Sequence, residues 1–338
     1  MIRVSTRERR ALDTQSDGRR EERPAEDARR RALSALEVPH AHPLVVVDES
    51  WISRIYTSRR LRRLLPVPLT IAFAWLAGHL LWCLCPQRRR AALEWASHFL
   101  DTGRGSHTAT RLARRMMIER IVQSQLVWRP DHARWMQIDG LEHLEEARAG
   151  GSGVICTGAH MGTPFSILHV LAPRVQRLYV VGVGTTRMWK HTDPETTQLR
   201  GRHGRAAAMM WQAAEDVGCR WVPTGPSYRV LRAFLARGDA CWINFDVLGR
   251  TETRIGNRRF MLASGVSALG MDTGVKVVPA FPLRNGLRLR TLVLPPIDPA
   301  EFDDQASLQR HITGVIDGVV SAHPEQMFER WPPVVPAG

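Results

Sequence analysis

One of the 13 histidines, His160, stands where an α/β protein can hold a catalytic side chain. It follows GVICT (153–157), which has the composition of a buried strand, and precedes a helix that we expect to begin at Pro164. Loops at the carboxyl ends of strands carry functional groups in such folds. An imidazole, whose ordinary pKa is about 6.5, can accept a proton there from a hydroxyl. The same local pattern also fits a histidine satisfied inside the core, and these residues alone leave both interpretations open.

Most motifs that carry chemistry are missing from the sequence. GVGTTR (182–187) follows a predicted strand, but Arg187 stands where the third glycine of a dinucleotide-binding motif belongs. There is no P-loop, no G-x-S-x-G elbow and no H-E-x-x-H motif. The histidines lack metal-ligand spacing, and the five cysteines form no C-x-x-C pair. We therefore predict no metal, no cofactor, and reduced thiols rather than disulfides.

The rest of the chain alternates between strand-like and helix-like segments. Short apolar runs bounded by turn residues predict strands at 153–157, 177–183, 219–223, 240–245, 275–281 and 287–294. Helical patterns are found at 88–100, 107–128, 205–217, 227–237, 265–273 and 305–321. This alternation predicts an α/β fold with a mostly parallel central sheet that is flanked by helices.

The N-terminal residues 1–45 have little to bury and are predicted to be a disordered charged arm. The first 40 residues hold ten arginines and eight acids among serine, proline and alanine. The arm lacks the apolar region of a secretory signal, so we do not expect it to be one.

Residues 51–90 combine positive charge with the most apolar run of the chain. They contain eight arginines and no acid, and Leu64–Pro86 is a run of 23 residues without a formal charge. About 20 residues can span a bilayer, but two prolines shorten the helix and the arginines flank it on both sides. We favour an interfacial helix, with Trp75 and Trp82 at headgroup depth and arginines on anionic phosphate. A buried core helix is the alternative.

The segment GVICTGAHMGTPFSILHVL (153–171) resembles the histidine block of the lysophospholipid acyltransferase superfamily. The resemblance is to the branch of bacterial lipid A late acyltransferases and phosphatidylinositol mannoside acyltransferases, which carries a strand, T-x-H-x-G-N-W-[DE] and a helix. It continues in order through LRGRHGRA (199–206), RVLRAFLARGDACWINFDVLGR (229–250), RRFMLASGVSALGMDTGVKVVPAFPLRNG (258–286) and HPEQMFERW (323–331). The arginine-flanked apolar segment before residue 91 is also similar to the N-terminal region of the family.

One position departs from the family pattern. Members place an acid five positions after the histidine, but Phe165 stands there, and Thr163 and Pro164 replace the usual Asn-Trp. The acid of such a pair fixes the tautomer of the imidazole and stabilises the imidazolium. Three interpretations follow: a weakened enzyme, an enzyme that takes its acid from elsewhere (Asp246 or Asp193), or a non-catalytic homologue.

The resemblance implies a fold and a set of site residues. The fold would be a glycerol-3-phosphate acyltransferase-like α/β domain at 91–338, preceded by the helical membrane-associated region at 51–90. His160 would be the general base, Arg187 would face the developing oxyanion or be an ordinary surface arginine, and Asp246 would complete the catalytic set. The residues implied for substrate binding are Gly162, Thr163, Phe165, Arg200 and Gly265.

We therefore expect a membrane-associated acyltransferase at the cytoplasmic face of the bacterial inner membrane, peripheral or with a single N-terminal anchor. It would move an acyl chain from acyl carrier protein or acyl-CoA to a hydroxyl or amine of a lipid, glycolipid or other amphiphilic acceptor. An anionic membrane surface is a further expected partner. The net charge of +14 does not by itself indicate nucleic-acid binding, since no RNA-binding motif accompanies it. The alternative is a catalytically silent homologue that binds lipid or acyl carrier protein as an accessory protein.

Overall fold

The computed structural model describes these parts of the 338-residue chain: 65–97, 106–126, 130–163, 166–181, 212–222, 227–255, 258–327 and 334–335. They all belong to one unit, Pro43–Gly338. The predicted arm at 1–45 lies outside the described residues, as do five residues singled out above: Pro164, Phe165, Arg187, Asp193 and Arg200.

Seven of the described strands form a central sheet. They are β1 (Met136–Asp139), β2 (Val154–Gly158), β3 (Leu178–Val181), β4 (Cys219–Val222), β5 (Ala240–Asn244), β8 (Val277–Asn285) and β9 (Arg288–Val293). Their order across the sheet is β1-β9-β8-β2-β5-β3-β4. Every neighbouring pair is parallel except β8 with β9. The predicted α/β fold with a mostly parallel central sheet is therefore confirmed.

Helices cover both faces of this sheet. The described α-helices are α1 (Val67–Leu84), α2 (Pro86–Ser97), α3 (Ser106–Leu126), α4 (Leu141–Ala147), α5 (Ser166–Leu171), α6 (Ser227–Leu235), α7 (Gly265–Thr273) and α8 (Gln305–Ala322), and α4–α8 contribute to the two core clusters on the sheet. One core cluster contains Ile155 of β2 with apolar residues of α6, α7 and α8. A second contains Val154 and Cys156 with residues of α4 and α5. Because β2 is buried on both faces, its sequence is apolar without alternation.

A smaller antiparallel sheet follows β5 along the chain. Strands β6 (Leu248–Ile255) and β7 (Arg258–Leu262) pair as a hairpin, and β10 (Val334–Val335) pairs with β7. The sequence pattern did not predict these strands, nor β1. In β6, exposed charged residues alternate with threonines. Of the β6 side chains described, only Thr253 and the terminal Ile255 are buried. A strand that buries so little apolar surface gives no hydrophobic signal.

Helix α1 packs one face closely against α3. Val67, Ile71 and Ala74 are buried on that face. A Cβ added at Gly78 would lie only 2.9 Å from the Cα of Ile118, so the two backbones approach each other there. The predicted apolar helix of 51–90 therefore exists at Val67–Leu84, and a third of its apolar window is buried against protein.

The opposite face of α1 is apolar and exposed. Leu69, Phe73, Leu76, Leu80 and Leu84 are 47%, 48%, 51%, 54% and 73% exposed. Their spacing of three or four residues places them along one side of the helix. Among the described helices, α1 is the one whose length and composition would allow it to cross a membrane. An exposed apolar surface of this kind is typical of contact with a membrane or another protein.

We expect Gly78→Val to lower the thermal stability. The new side chain must push α1 away from α3, and overpacking of this kind costs about 1–3 kcal/mol. Gly314→Val is the matched control, because a Cβ there meets no atom within 4 Å. Thermal unfolding followed by circular dichroism should show a lower midpoint for Gly78→Val alone, and equal midpoints for the two variants would contradict the close packing.

Candidate active site

His160 and Asp246 lie side by side at the carboxyl ends of β2 and β5. The parallel register pairs Gly158 with Asn244, and each of the two site residues follows its own strand by two positions. Nδ1 of His160 lies 2.8 Å from Oδ1 of Asp246, and the backbone N–H of His160 donates to Oδ2 at 2.8 Å. The Asp246 carboxylate thus fixes both the imidazole ring and the backbone of His160.

The two partners differ sharply in exposure. The Asp246 side chain is 1% exposed, whereas that of His160 is 45% exposed. A buried carboxylate is costly unless it is hydrogen-bonded, so the two bonds to His160 hold it in place. The imidazole, by contrast, presents an edge to the surface, where a substrate can reach it.

Asn244 contacts the other nitrogen of the ring. Its Nδ2 lies 3.1 Å from Nε2 of His160, and its Oδ1 accepts a hydrogen bond from Nε1 of Trp242 at 3.0 Å. Trp242 and Asn244 are two positions apart on β5 and therefore share a face of the sheet. Neither residue was predicted from the sequence as part of the site. The spacing of Asn244 and Asp246 at the end of a predicted strand is a signal that could have found Asn244.

The loop after His160 requires glycine at position 162. Gly162 has a φ of +61°, and an added Cβ would lie 1.5 Å from the carbonyl oxygen of Pro282 in β8. Its N–H donates to the carbonyl oxygen of Gln326 at 2.8 Å. Met161 forms an isolated antiparallel bridge with Met327. These contacts press the loop against β8 and the segment that contains Gln326.

Gln326 joins this loop to β8 and α3. Its Oε1 accepts from the backbone N–H of Arg284 at 2.7 Å, and its Nε2 donates to the carbonyl oxygen of Arg284 at 2.8 Å. Gln123 of α3 donates to the backbone carbonyl of Gln326 at 3.0 Å. The buried amide thus pairs with the end of β8 as a neighbouring strand would. The HPEQ sequence (323–326) therefore supports the loop that carries the histidine.

A buried ion pair anchors α3 to the same end of β8. The guanidinium of Arg284 donates two hydrogen bonds to the carboxylate of Glu119, one of them from Nε to Oε2 at 2.8 Å. Burial raises the pKa of Glu119, and the Arg284 guanidinium opposes that rise. Removing one partner would leave a buried charge without its counter-ion, which costs about 3–5 kcal/mol.

Two further residues implied for substrate binding lie within the described part of the chain. The buried Thr163 hydroxyl is 2.8 Å from Oγ of Ser166, whose hydroxyl also donates to the Thr163 carbonyl at 2.7 Å, at the start of α5. Gly265 is the first residue of α7. The described residues thus bring together His160, Gly162 and Asp246.

The arrangement can perform proton transfer. A carboxylate at Nδ1 orients the imidazole and stabilises its protonated form, and the exposed edge can take a proton from a hydroxyl that reaches it. Among the described residues, no group of three or more histidine, cysteine, aspartate or glutamate side chains could hold a metal ion.

No protein-family model matches the chain, and no curated protein matches it. Among solved structures, the chain is similar to the crystal structure of the 1-acyl-sn-glycerophosphate (LPA) acyltransferase PlsC from Thermotoga maritima, at 10% sequence identity and a TM-score of 0.36. The match covers 78% of this chain and 100% of that chain.

We expect Gly162→Ala to destabilise the protein far more than Gly286→Ala does. Both glycines have positive φ, +61° and +60°, so alanine is strained by about 1–2 kcal/mol at either position. Only at Gly162 would the new methyl also meet backbone, while a Cβ at Gly286 meets no atom within 4 Å. Urea unfolding should therefore separate the two variants by several kcal/mol, and equal losses would show that the loop does not press against β8.

Proposed function

We propose that the protein is a lipid acyltransferase in which His160 is the general base and Asp246 supplies its acidic partner. The observation that carries the proposal is the hydrogen bond of 2.8 Å between Nδ1 of His160 and the buried carboxylate. The ordered sequence blocks that resemble the lysophospholipid acyltransferase superfamily support the assignment to acyl transfer.

In the proposed reaction an acceptor hydroxyl reaches the exposed edge of His160. Nε2 removes the hydroxyl proton as the oxygen attacks the thioester carbonyl of the acyl donor. Asp246 stabilises the imidazolium that forms. The tetrahedral intermediate then collapses, the carbon–sulfur bond breaks, and the leaving thiolate takes the proton from Nε2. The products are an acyl ester and a free thiol, and His160 is neutral again.

The pairing with Asp246 bears on the departure at Phe165. Of the three interpretations of that departure, it favours the enzyme that takes its acid from elsewhere, because a carboxylate from the next parallel strand already contacts Nδ1. A phenylalanine at the family's acid position then does not require loss of activity. We propose that this chain is an active enzyme and not a catalytically silent accessory protein.

The proposed substrates follow from the resemblance and from the surface. We propose acyl carrier protein or acyl-CoA as donor and a lipid, glycolipid or other amphiphilic hydroxyl or amine as acceptor. The exposed apolar face of α1 ends at Leu84, close in sequence to the exposed Arg89 and Arg90 of α2. Apolar side chains beside arginines fit the boundary of an anionic bilayer. We therefore propose that the protein works at the cytoplasmic face of the inner membrane.

Acyl transfer by three variants tests the proposed base and its acid. His160→Ala should remove the reaction of an acyl-thioester donor with a bacterial lipid extract. Asp246→Asn should lower the rate about 10⁴-fold, as loss of the aspartate does in the serine-protease triad. Asp239→Asn is the matched control, because this buried carboxylate precedes the opposite end of β5 and pairs with Arg237. It should keep the rate of the wild type.

Both acyl carrier protein and coenzyme A should be assayed as the thiol of the donor, with a thermal melt of each variant. Full activity in a folded His160→Ala variant would overturn the proposal. If the wild type binds lipid or carrier protein but transfers no acyl chain from either donor, the accessory function is correct instead.

The exposed face of α1 should bind anionic vesicles. Fully burying a large apolar side chain contributes about 1.5–3 kcal/mol, and about half of Phe73 and of Leu80 is exposed. Phe73→Ser combined with Leu80→Ser should therefore lower the vesicle partition coefficient at least about tenfold. Both side chains are exposed, so the melting temperature should change little. Leu287→Ser removes a leucine that is 51% exposed in the turn between β8 and β9, and it should bind as the wild type does.

Co-sedimentation with phosphatidylglycerol vesicles measures this difference. Equal binding by the double variant and the wild type would show that α1 does not face the membrane. These point substitutions are preferable to deleting α1, because its other face is part of the packing against α3.

A further inference from the structure

We propose that Trp242 and Asn244 hold His160 in the tautomer that acts as a base, so that both are positioning residues. The role rests on the proposed acyl transfer, because a base must present an unprotonated nitrogen to the acceptor. The tautomer itself follows from the directions of three hydrogen bonds.

The Trp242 indole sets the directions of the first two hydrogen bonds. Nε1 of tryptophan is a donor only, so the atom of Asn244 that lies 3.0 Å from it is the amide oxygen. The NH₂ group of Asn244 must then face Nε2 of His160 at 3.1 Å. Because an NH₂ group donates and cannot accept, Nε2 has to offer its lone pair.

The Asp246 carboxylate sets the direction of the third hydrogen bond. An ionised Asp246 can only accept, and its Oδ1 lies 2.8 Å from Nδ1 of His160. The ring proton is therefore on Nδ1. The indole on one side and the carboxylate on the other thus impose the same tautomer from two independent positions.

The alternative tautomer would put two donors face to face at Nε2 and leave the lone pair of Nδ1 against the carboxylate. Turning the Asn244 amide over would relieve the first contact, but it would bring its NH₂ group against the Trp242 N–H. No arrangement of these four side chains other than the one described satisfies all three hydrogen bonds.

Packing keeps the indole from moving to accommodate such a change. Trp242 is 4% exposed and belongs to the core cluster beneath the sheet face that it shares with Asn244. A Cβ added at Gly158 would lie 3.0 Å from Cη2 of the indole. The donor that orients the amide is therefore fixed by the core.

The amide occupies the direction from which the acceptor hydroxyl must donate its proton. We infer that Asn244 holds this direction until the acceptor replaces it. A protonated Nε2 would face the NH₂ group, donor to donor, so Asn244 opposes the imidazolium that Asp246 favours. Together, Asn244 and Asp246 keep His160 neutral and correctly oriented in the resting protein.

Selectively ¹⁵N-labelled histidine gives a direct readout of the ring, with the His160 signals assigned by their loss in His160→Ala. The wild type should show a protonated Nδ1 and a bare Nε2. Trp242→Phe removes the donor that orients the amide, so Asn244 can turn its oxygen toward Nε2 while Asp246 keeps the proton on Nδ1. A population of the ring with protons on both nitrogens should then be seen. Trp221→Phe, on the outer strand β4, is the matched control and should leave the signals unchanged.

Kinetics add a second readout. Residues that orient a metal-binding histidine through a hydrogen bond typically contribute about 10–100-fold to activity. By analogy, Trp242→Phe and Asn244→Ala should lower kcat by about that factor with little change in KM. Asn244→Asp places a carboxylate against Nε2 and favours the imidazolium, so the acid limb of its pH–rate profile should move to higher pH.

A wild-type spectrum with the proton on Nε2 would overturn the proposal. So would unchanged ring signals in a folded Asn244→Ala variant, which removes an incompletely buried side chain and does not disturb the core as loss of the indole could. If the spectra behave as expected but the wild type transfers no acyl chain, the positioning of the ring stands and the proposed function fails.

Discussion

The hydrogen bond between His160 and Asp246 depends on the register of two neighbouring parallel strands. Because Gly158 lies opposite Asn244, the loops that leave β2 and β5 carry their second residues to within 2.8 Å of each other. A slip of one residue would move the partners by about 3.3 Å and turn their side chains to the opposite face. The register is held because both strands are buried and contribute to the core clusters on both faces of the sheet.

Helix α3 connects α1 to the candidate active site. On one side it packs against α1, and on another it contacts the end of β8 through Glu119 and the HPEQ segment through Gln123. Gln326 in turn holds the loop at Gly162. If α1 lies on a membrane, as we propose, this chain of buried polar contacts fixes the height and orientation of His160 relative to the bilayer. An enzyme that acts on an amphiphilic acceptor needs such a fixed relation.

The sequence predicted the features that depend on local pattern. The continuous apolar run of β2 and the alternation of elements indicated a mostly parallel sheet, and the position of His160 after β2 marked it as a candidate base. Asp246 could be named only as one of two possible acids, because the choice depends on which strands are neighbours. Asn244 and Gln326 were not assigned roles, since their partners His160 and Arg284 are distant in sequence. Trp242 was not assigned a role, since it reaches the ring only through Asn244. The β6–β7 hairpin was missed because β6 buries little apolar surface and so gives no hydrophobic signal.

The most direct test of the central claim is a proton NMR spectrum that looks for the proton shared by His160 Nδ1 and the Asp246 carboxylate. A charge-assisted hydrogen bond between these groups should give a strongly deshielded resonance when the ring is protonated. We predict that this resonance is present in the wild type and in His169→Gln, and absent in both His160→Ala and Asp246→Asn. A resonance that persists in folded Asp246→Asn, or none in the wild type, would contradict the account.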